Sequence, residues 1–260
     1  MASSLFCELT EEELKSITEK SLHANLKSAR LLTGGMFNTT YLLETENGKK
    51  YVLRAGPVNR HLLMWYEHKL MEAEKIVYAM CKKEEIPVSN VIYSDTSKKL
   101  IDRDFMLVDF FDAVPMSEIA LNPDDKNRIC YDIGKATAKM HSVKNVRFGR
   151  ITEVYNGKGY SQWSACILNE LQNWEKTALP AGIFTAKKIS KIKELFFKSV
   201  PFLDEIKIPS LVHTDLWEGN ILIDNHSSVP KFSAIIDADR ALWGDPDFEF
   251  SSIRWTYTES

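Results

Sequence analysis

Three side chains that could handle a metal ion and a proton lie close together near the end of the chain: Asp215, Asn220 and Asp237. Two short apolar segments, 220–224 and 232–237, have the composition of β-strands. Turn-forming residues separate these segments, so we expect them to pair as a hairpin. Asn220 and Asp237 would then face each other at the open end of the hairpin, and a short loop would keep Asp215 beside them.

This combination of groups is suited to phosphoryl transfer. An amide oxygen and a carboxylate side by side form a site for Mg²⁺, which takes one or two protein ligands and completes its shell with water and phosphates. A second carboxylate can orient a nucleophilic hydroxyl or accept its proton, and the transition state otherwise needs positioning and charge neutralisation. We therefore expect Asp215 to be catalytic, and Asn220 and Asp237 to bind Mg²⁺. The alternative is a surface hairpin with ordinary polar ends.

The same residues carry a family resemblance. The pattern His213-x-Asp215-Leu-x-x-x-Asn220, followed by Asp237, resembles the catalytic and metal-binding motifs of the aminoglycoside phosphotransferase family. The resemblance extends over about residues 32–250. It implies an α+β protein with a two-lobed protein-kinase-like fold, in which a β-rich N-lobe precedes a mostly helical C-lobe. It also implies Mg²⁺ as a cofactor and ATP or GTP as the phosphoryl donor.

The order of the predicted elements agrees with that fold. Thr10 and Glu13 form a capping-box pattern that predicts an N-terminal helix. Residues 25–110 are rich in predicted strands, with a helix predicted at 67–83. Later helices are predicted at 124–142, 160–176 and 186–197. These patterns divide the chain into a nucleotide-binding lobe at 1–110 and a catalytic and substrate lobe at 111–260, with a hinge near 109–112.

The nucleotide is expected in the cleft between the lobes. Gly34, Gly35 and Asn38 lie between two predicted strands, where a flexible loop could expose backbone N–H groups to phosphates; a plain hairpin turn is the alternative. Arg54 ends the next strand, where a kinase-like fold needs a phosphate-binding cation. Glu74 is the expected helical partner of that cation, in agreement with the family resemblance.

Several neighbouring residues allow two interpretations. Glu67 and Glu72 are rivals of Glu74 for the pairing with Arg54. If strand alternation continued past Asp237, Asp239 would point the same way and could help the metal or meet a cationic substrate; otherwise it would cap a turn. His213 and His141 are expected to be structural, and Trp217 and Trp243 to be core or packing residues rather than stacking platforms. Asp245 and Pro246 predict a helix start, and Asp247 and Glu249 could line an acidic substrate wall.

Composition excludes several classes of protein. The 260 residues carry a net charge of −3 with a pI near 6.1, which gives no indication of a nucleic-acid partner. No segment has the length and hydropathy of a membrane span, and the N-terminus lacks a secretory pattern. The four cysteines are scattered without metal-ligand spacing, which indicates reduced thiols and a cytoplasmic protein.

The implied activity is transfer of the γ-phosphoryl group to a hydroxyl of a small polar acceptor, such as an aminoglycoside-like antibiotic. Choline and ketosamine kinases have similar catalytic loops, and Asp-Leu-Trp-x-Gly-Asn at 215–220 is close to the ketosamine form. A non-catalytic kinase-like module that binds a nucleotide or a protein is a further alternative. The chain ends soon after Asp237, where the family usually continues through further helices. The sequence leaves open whether the chain is naturally short or shortened, which acceptor and nucleotide are used, and the oligomeric state.

Overall fold

A computed structural model describes residues 4–32 and 37–253. The α-helices in this part of the chain are α1 (Glu11–Leu22), α2 (Leu70–Lys83), α3 (Pro123–Ser142), α4 (Ile151–Tyr155), α5 (Trp163–Ala178), α6 (Ala186–Leu203) and α7 (Phe250–Ile253). The strands are β1 (Leu26–Leu32), β2 (Thr39–Thr45), β3 (Lys50–Ala55), β4 (Val91–Asp95), β5 (Phe105–Asp109), β6 (Val114–Pro115), β7 (Gly149–Arg150), β8 (Ser210–Val212), β9 (Ile221–Asp224), β10 (Lys231–Ile235) and β11 (Leu242–Gly244).

The first half of the chain folds around an antiparallel five-stranded sheet with the order β1-β2-β3-β5-β4. Helix α1 begins with the predicted capping box, in which Thr10 and Glu13 each accept a hydrogen bond from the other's backbone N–H group. Ile17 of this helix is fully buried and packs against the sheet residues Leu43 and Leu53. The β-rich N-lobe predicted from the sequence is therefore present.

Two elements of the N-lobe differ from the prediction. The helix expected over 67–83 begins with a 3₁₀ turn at Glu67–Lys69, and the regular helix α2 follows. The strand expected over 86–93 is displaced to Val91–Asp95, because Val88 instead forms an isolated parallel bridge with Ile235 of β10. That bridge connects the N-lobe to the hairpin of β9 and β10.

The second half of the chain is mostly helical, as predicted. Asn122 caps α3 by accepting the N–H of Asp125, and Pro123 occupies the first helical position, where its missing N–H has no cost. Helix α5 begins at Trp163 and α6 extends to Leu203. Both helices therefore continue past their predicted ends. The described residues contain no helix that is long and apolar enough to cross a membrane.

The predicted catalytic hairpin consists of β9 and β10, and β6 extends it to three strands. Its register changes between Phe232 and Ala234, so one extra residue lies on β10. Asn220 is consequently bonded to the backbone of Ile236, which donates its N–H to the Asn220 carbonyl at 3.0 Å. Asn220 therefore lies opposite Ile236, one residue before the predicted partner Asp237.

Candidate active site

The loop from His213 to Asn220 connects β8 to β9, and His213 fixes its conformation from inside. This side chain is fully buried. Its Nε2 lies 3.1 Å from the carbonyl oxygen of Ile236, while its Nδ1 accepts the N–H of Asp215 at 3.3 Å. Both ring nitrogens therefore have backbone partners, and His213 braces the loop. The structural interpretation of His213 agrees with these contacts.

Glu249 holds the same loop from outside. Its carboxylate accepts the N–H groups of His213 at 2.8 Å and Thr214 at 2.9 Å, and His141 lies 3.2 Å from the same carboxylate. Glu249 is 1% exposed, so the suggestion that it lines an acidic substrate wall was wrong. Burial alone would raise the pKa of Glu249, but the hydrogen bonds from His141 and from the backbone N–H of His213 lower it. The carboxylate therefore stays ionised and accepts from all three donors.

Asp215 and Asn220 are joined at the base of the loop. The Nδ2 group of Asn220 donates to the backbone oxygen of Asp215 at 2.8 Å and to its Oδ2 at 3.2 Å. Because the amide nitrogen is engaged in this way, the Oδ1 atom of Asn220 is the oxygen free to meet a cation. Burial and the nearby Asp237 raise the pKa of Asp215, which makes its carboxylate a better proton acceptor.

Asp237 follows β10 in a left-handed backbone conformation, with φ of 63°. Its N–H donates to the hydroxyl of Tyr78 on α2 at 3.0 Å, so α2 and the catalytic hairpin are directly connected. Burial alone would raise the pKa of Asp237, but Arg54 lowers it through an ion pair and a hydrogen bond. Asp237 is therefore ionised, the state that binding a metal ion would require.

Arg54 on β3 is the centre of the charge network. Its guanidinium group pairs with Glu74 of α2 and with Asp237, and Asp239 lies 3.9 Å away. Burial alone would lower the pKa of Arg54, but the surrounding carboxylates raise it well above its usual value. The contact with Glu74 is the pairing expected from the sequence.

The rival acids have other partners: Glu67 pairs with Arg240 at 3.2 Å, and Glu72 lies 3.9 Å from Lys69. Asp239 is 6% exposed and follows Asp237 within a 3₁₀ turn, Ala238–Arg240, so strand alternation does not continue. Burial and the two neighbouring acids, Asp237 and Glu74, raise the pKa of Asp239 well above its usual value.

Arg240 is a site residue that the sequence analysis missed. It donates to the Tyr66 hydroxyl at 3.0 Å and to Glu67 at 3.2 Å, and its guanidinium lies 5.8 Å from the centre of the Phe37 ring. Its charge also acts on Asp215 and helps to lower the pKa of that group. The local signal was its place three residues after Asp237, but its partners lie more than 170 residues earlier in the chain.

The remaining predicted residues differ in their exposure and in whether the structure describes them. Gly34 and Gly35 lie outside the described residues. Asn38, where the loop re-enters the described part of the chain, is 9% exposed. Trp243 is buried as expected, whereas Trp217 is 45% exposed and so lies outside the core; its indole packs against Gly219. Asp245 does accept the N–H of Asp247 and start a short helix with Pro246.

The donor set fits a magnesium ion bound mainly by its substrate. Within residues 4–32 and 37–253, no group of three or more His, Cys, Asp or Glu side chains is arranged to hold a metal. Asn220 and Asp237 supply one amide oxygen and one ionised carboxylate. Two such ligands are typical of Mg²⁺ that is shared with substrate phosphates.

These features define a phosphotransferase site on a protein-kinase-like fold. The sequence profile of the phosphotransferase enzyme family, which includes aminoglycoside phosphotransferases, matches residues 28–260. The chain belongs to this family, and it is accordingly a small-molecule kinase that acts on a hydroxyl group. The resemblance predicted from residues 213–237 is thereby confirmed. A comparison with curated proteins gives no significant match.

Solved structures confirm the fold. An aminoglycoside phosphotransferase in ternary complex with ADP and hygromycin B superposes with a TM-score of 0.64 at 14% identity, covering 91% of this chain and 74% of that one. A protein assigned as a fructosamine-3-kinase from Thermobifida fusca gives 0.68 at 16% identity, covering 93% and 78%. A second aminoglycoside phosphotransferase, in complex with GDP and kanamycin, gives 0.63 at 16% identity, covering 93% and 76%.

Proposed function

We propose that this protein transfers the γ-phosphoryl group of ATP or GTP to a hydroxyl of a small polar acceptor in a Mg²⁺-dependent reaction. The observation that carries the proposal is the arrangement around Arg54, whose guanidinium links the helix acid Glu74 to Asp237. The bond from Asn220 to Asp215 joins the other two predicted chemical groups at the same hairpin. Kinase chemistry requires these elements together.

Each residue then has a defined task. Asp215 orients the acceptor hydroxyl and takes its proton, which its raised pKa favours. Arg54 holds the donor phosphates, and its ion-pair partner Glu74 positions it. Asn220 and Asp237 would hold Mg²⁺, which when bound neutralises charge on the phosphate oxygens.

The loop with Gly34, Gly35 and Asn38 is proposed to cover the nucleotide. The backbone N–H groups of this loop would face the phosphates. The neighbouring structures with ADP and with GDP support a nucleotide donor but leave both nucleotides as candidates. We place the boundary between the nucleotide-binding lobe and the catalytic and substrate lobe at residues 110 and 111. This point directly follows β5, the last sheet strand of the first half.

Two classes of acceptor are candidates. Kanamycin and hygromycin B in neighbouring structures support an aminoglycoside-like antibiotic, and hence a role in antibiotic resistance. The fructosamine-3-kinase-like neighbour and the motif at residues 215–220 support a metabolic acceptor of the ketosamine type. A cytoplasmic location is proposed from the cysteines, of which Cys81 and Cys166 are buried free thiols.

The test is acceptor-dependent release of nucleoside diphosphate. The purified chain is assayed with Mg²⁺ and either ATP or GTP against aminoglycosides, choline, ketosamines and simple sugars, with Asp215→Asn as the matched inactive variant. We expect release that requires both an acceptor and Asp215.

The competing possibility is a non-catalytic kinase-like module. It would bind nucleotide without acceptor-dependent turnover, and Asp215→Asn would then change nothing. Release that is equal in the wild type and in Asp215→Asn would overturn the catalytic proposal.

A further inference from the structure

A cavity of about 290 Å³ lies beside the candidate active site, between the segment that directly precedes helix α2 and the segment that contains helix α4. The segment from Trp65 to Lys69 forms one wall, and the segment from Arg150 to Lys158 forms the opposite wall. A single monosaccharide-sized group fits a space of this volume. None of the residues assigned a role in phosphoryl transfer lines this cavity.

Tyr66 connects the cavity to the reaction site. Its ring centre lies 4.4 Å from the guanidinium group of Arg150, which lines the cavity, and 5.7 Å from that of Arg240. Its hydroxyl accepts a hydrogen bond from Arg240, the cation whose charge reaches Asp215. The backbone oxygen of Arg240 accepts from the hydroxyl of Thr214, the residue before Asp215, at 3.0 Å, so Tyr66 and Arg240 connect the cavity to the loop that carries Asp215. The cavity is thus in the position expected for the distal part of an acceptor.

The charge of the lining has a definite sign. Lys69, Arg150 and Lys158 line the cavity together with one acid, Glu153. Arg150 is held in place because its Nε and Nη2 atoms donate to Glu170, at 3.1 Å and at 2.5 Å. Its remaining Nη1 atom donates to the backbone oxygen of Arg240 at 3.4 Å. Arg150 thus forms the rigid floor of the cavity, while its charge is largely balanced by Glu170.

The lysines provide the unbalanced charge. Lys69 lies 3.9 Å from Glu72, a distance at which an exposed pair contributes little. No acidic side chain in the described part of the chain lies within ion-pair distance of Lys158. A polycationic ligand would meet like charges here, whereas an anionic group would meet two adaptable ammonium groups.

Aromatic side chains form the other recognition surface. Trp65 lines the cavity and is fixed by edge-to-face contacts with Tyr66 at 5.1 Å and with Trp174 of α5 at 5.6 Å. A preordered indole offers a flat apolar surface at little entropic cost. Trp65 therefore suits the apolar face of a ring, while the lysines suit a charge carried by that ring.

We propose that this cavity binds the distal part of the acceptor, and that the acceptor carries an anionic group, a carboxylate or a phosphate, on a ring-shaped polar body. The inference rests on the proposed function, because it identifies the cavity as part of the same acceptor site. It disfavours polycationic aminoglycosides and favours acidic or phosphorylated sugar-like compounds.

The test compares four probes that share one ring and differ in charge: glucose 6-phosphate, glucuronate, glucose and glucosamine. Binding to the full chain is measured by ligand-observed NMR titration, which does not require turnover. Lys158→Glu reverses the charge of one exposed lining residue. Lys191→Glu is the matched control, because Lys191 is an exposed lysine of α6 that does not line the cavity.

We expect both anionic probes to bind more tightly than glucose, and glucosamine to bind most weakly. Lys158→Glu should weaken the anionic probes about fivefold, since it changes exposed charge pairs of modest strength, and Lys191→Glu should have no effect. A preference for phosphate over carboxylate, or the reverse, would identify the anionic group. Glucosamine binding as tightly as glucuronate would overturn the inference, as would the absence of saturable binding by all four probes.

The experiment separates this inference from the proposed function. Asp215→Asn should keep the order of probe affinities, because Asp215 does not line the cavity. If the proposed function fails, the charge preference will remain while no acceptor supports release of nucleoside diphosphate. If only this inference fails, an acceptor will support release in the wild type, but Lys158→Glu will not change its KM.

Discussion

Replacing Glu74 by Gln tests how the interaction of Arg54 is divided between Glu74 and Asp237. Glu74 is fully buried, and its partner Arg54 also contacts Asp237 and lies near Asp239. Burial raises the pKa of Glu74, because desolvation opposes the ionised form more strongly than Arg54 stabilises it. Gln has the same shape without the charge. The substitution therefore removes one of the carboxylates around Arg54 while leaving the packing in place.

The expected magnitude follows from the charges. At an effective dielectric constant of about 20, an ion pair at about 4 Å is worth roughly 4 kcal/mol. If about a third of this interaction energy passes from Glu74 to Asp237, the attraction between Arg54 and Asp237 becomes stronger by roughly 1.4 kcal/mol. Mg²⁺ must compete with Arg54 for Asp237, so this energy corresponds to a change of about tenfold in Mg²⁺ binding. Because Asp237 is a proposed Mg²⁺ ligand, we expect the Mg²⁺ concentration for half-maximal activity to rise about tenfold. Turnover should fall by about 10- to 100-fold as Arg54 leaves the phosphates.

The free energy of unfolding should fall less than is usual when a buried ion pair is broken. Removing one member of a buried pair usually destabilises a protein by about 3–5 kcal/mol, because it leaves a buried charge without a partner. Arg54 keeps Asp237 as a partner, so we expect Glu74→Gln to cost less than about 2 kcal/mol in urea unfolding.

The assay is a Mg²⁺ titration of phosphotransfer activity at saturating nucleotide, and Glu72→Gln is the control. Glu72 lies on the same helix but is partly exposed, and its ion-pair partner is Lys69, at 3.9 Å. An unchanged Mg²⁺ dependence in Glu74→Gln, or an equal shift in Glu72→Gln, would refute the charge-sharing argument.

Three further outcomes are expected. Glu249→Gln places an NH₂ group against a backbone N–H of the catalytic loop, so it should lose about 2–3 kcal/mol and roughly 5–10 °C in Tm, while Asp247→Asn at the exposed neighbouring position should not. Because burial and Asp237 raise the pKa of Asp215, the acid limb of the kcat–pH profile should lie above the usual aspartate value of 3.8, and an inflection at or below that value would contradict the assignment. Burial raises the pKa of Cys81 and of Cys166 to about 12, so iodoacetamide at pH 8 should label the exposed Cys7 first and spare these two thiols, which peptide mass spectrometry would show.

Local sequence patterns were sufficient for most of the elements. The capping box of Thr10 and Glu13, the turn formers between β9 and β10, and the position of Glu74 on α2 all act over a few residues. Patterns of this kind are visible in sequence because each depends on neighbours one turn or one strand away.

The sequence patterns failed where the deciding partner lay far along the chain. The predicted hairpin register was off by one residue, and alternation of residue type did not reveal the extra residue in β10 that helps to set the actual register. Glu249 looked like a surface acid until the fold brought it to the backbone of His213, and Arg240 depends on Tyr66 and Glu67 at the opposite end of the chain. Trp217 looked like a core residue from its type alone, although it is exposed.

The most direct test of the account compares turnover and nucleotide binding in Asp215→Asn. The side chain keeps its shape and its position beside Asn220, but it can no longer accept a proton. We predict that nucleotide affinity stays within about twofold of the wild type, while kcat with any accepted hydroxyl compound falls at least ~100-fold. The free energy of unfolding of the same variant at pH 7 should be no lower than that of the wild type. The pKa of Asp215 is higher in the folded than in the unfolded protein. The stability that this difference provides is present below the unfolded pKa and is lost as the pH rises through the folded pKa, so at pH 7 nothing is left for the substitution to remove. Near-normal turnover in Asp215→Asn would contradict the central claim.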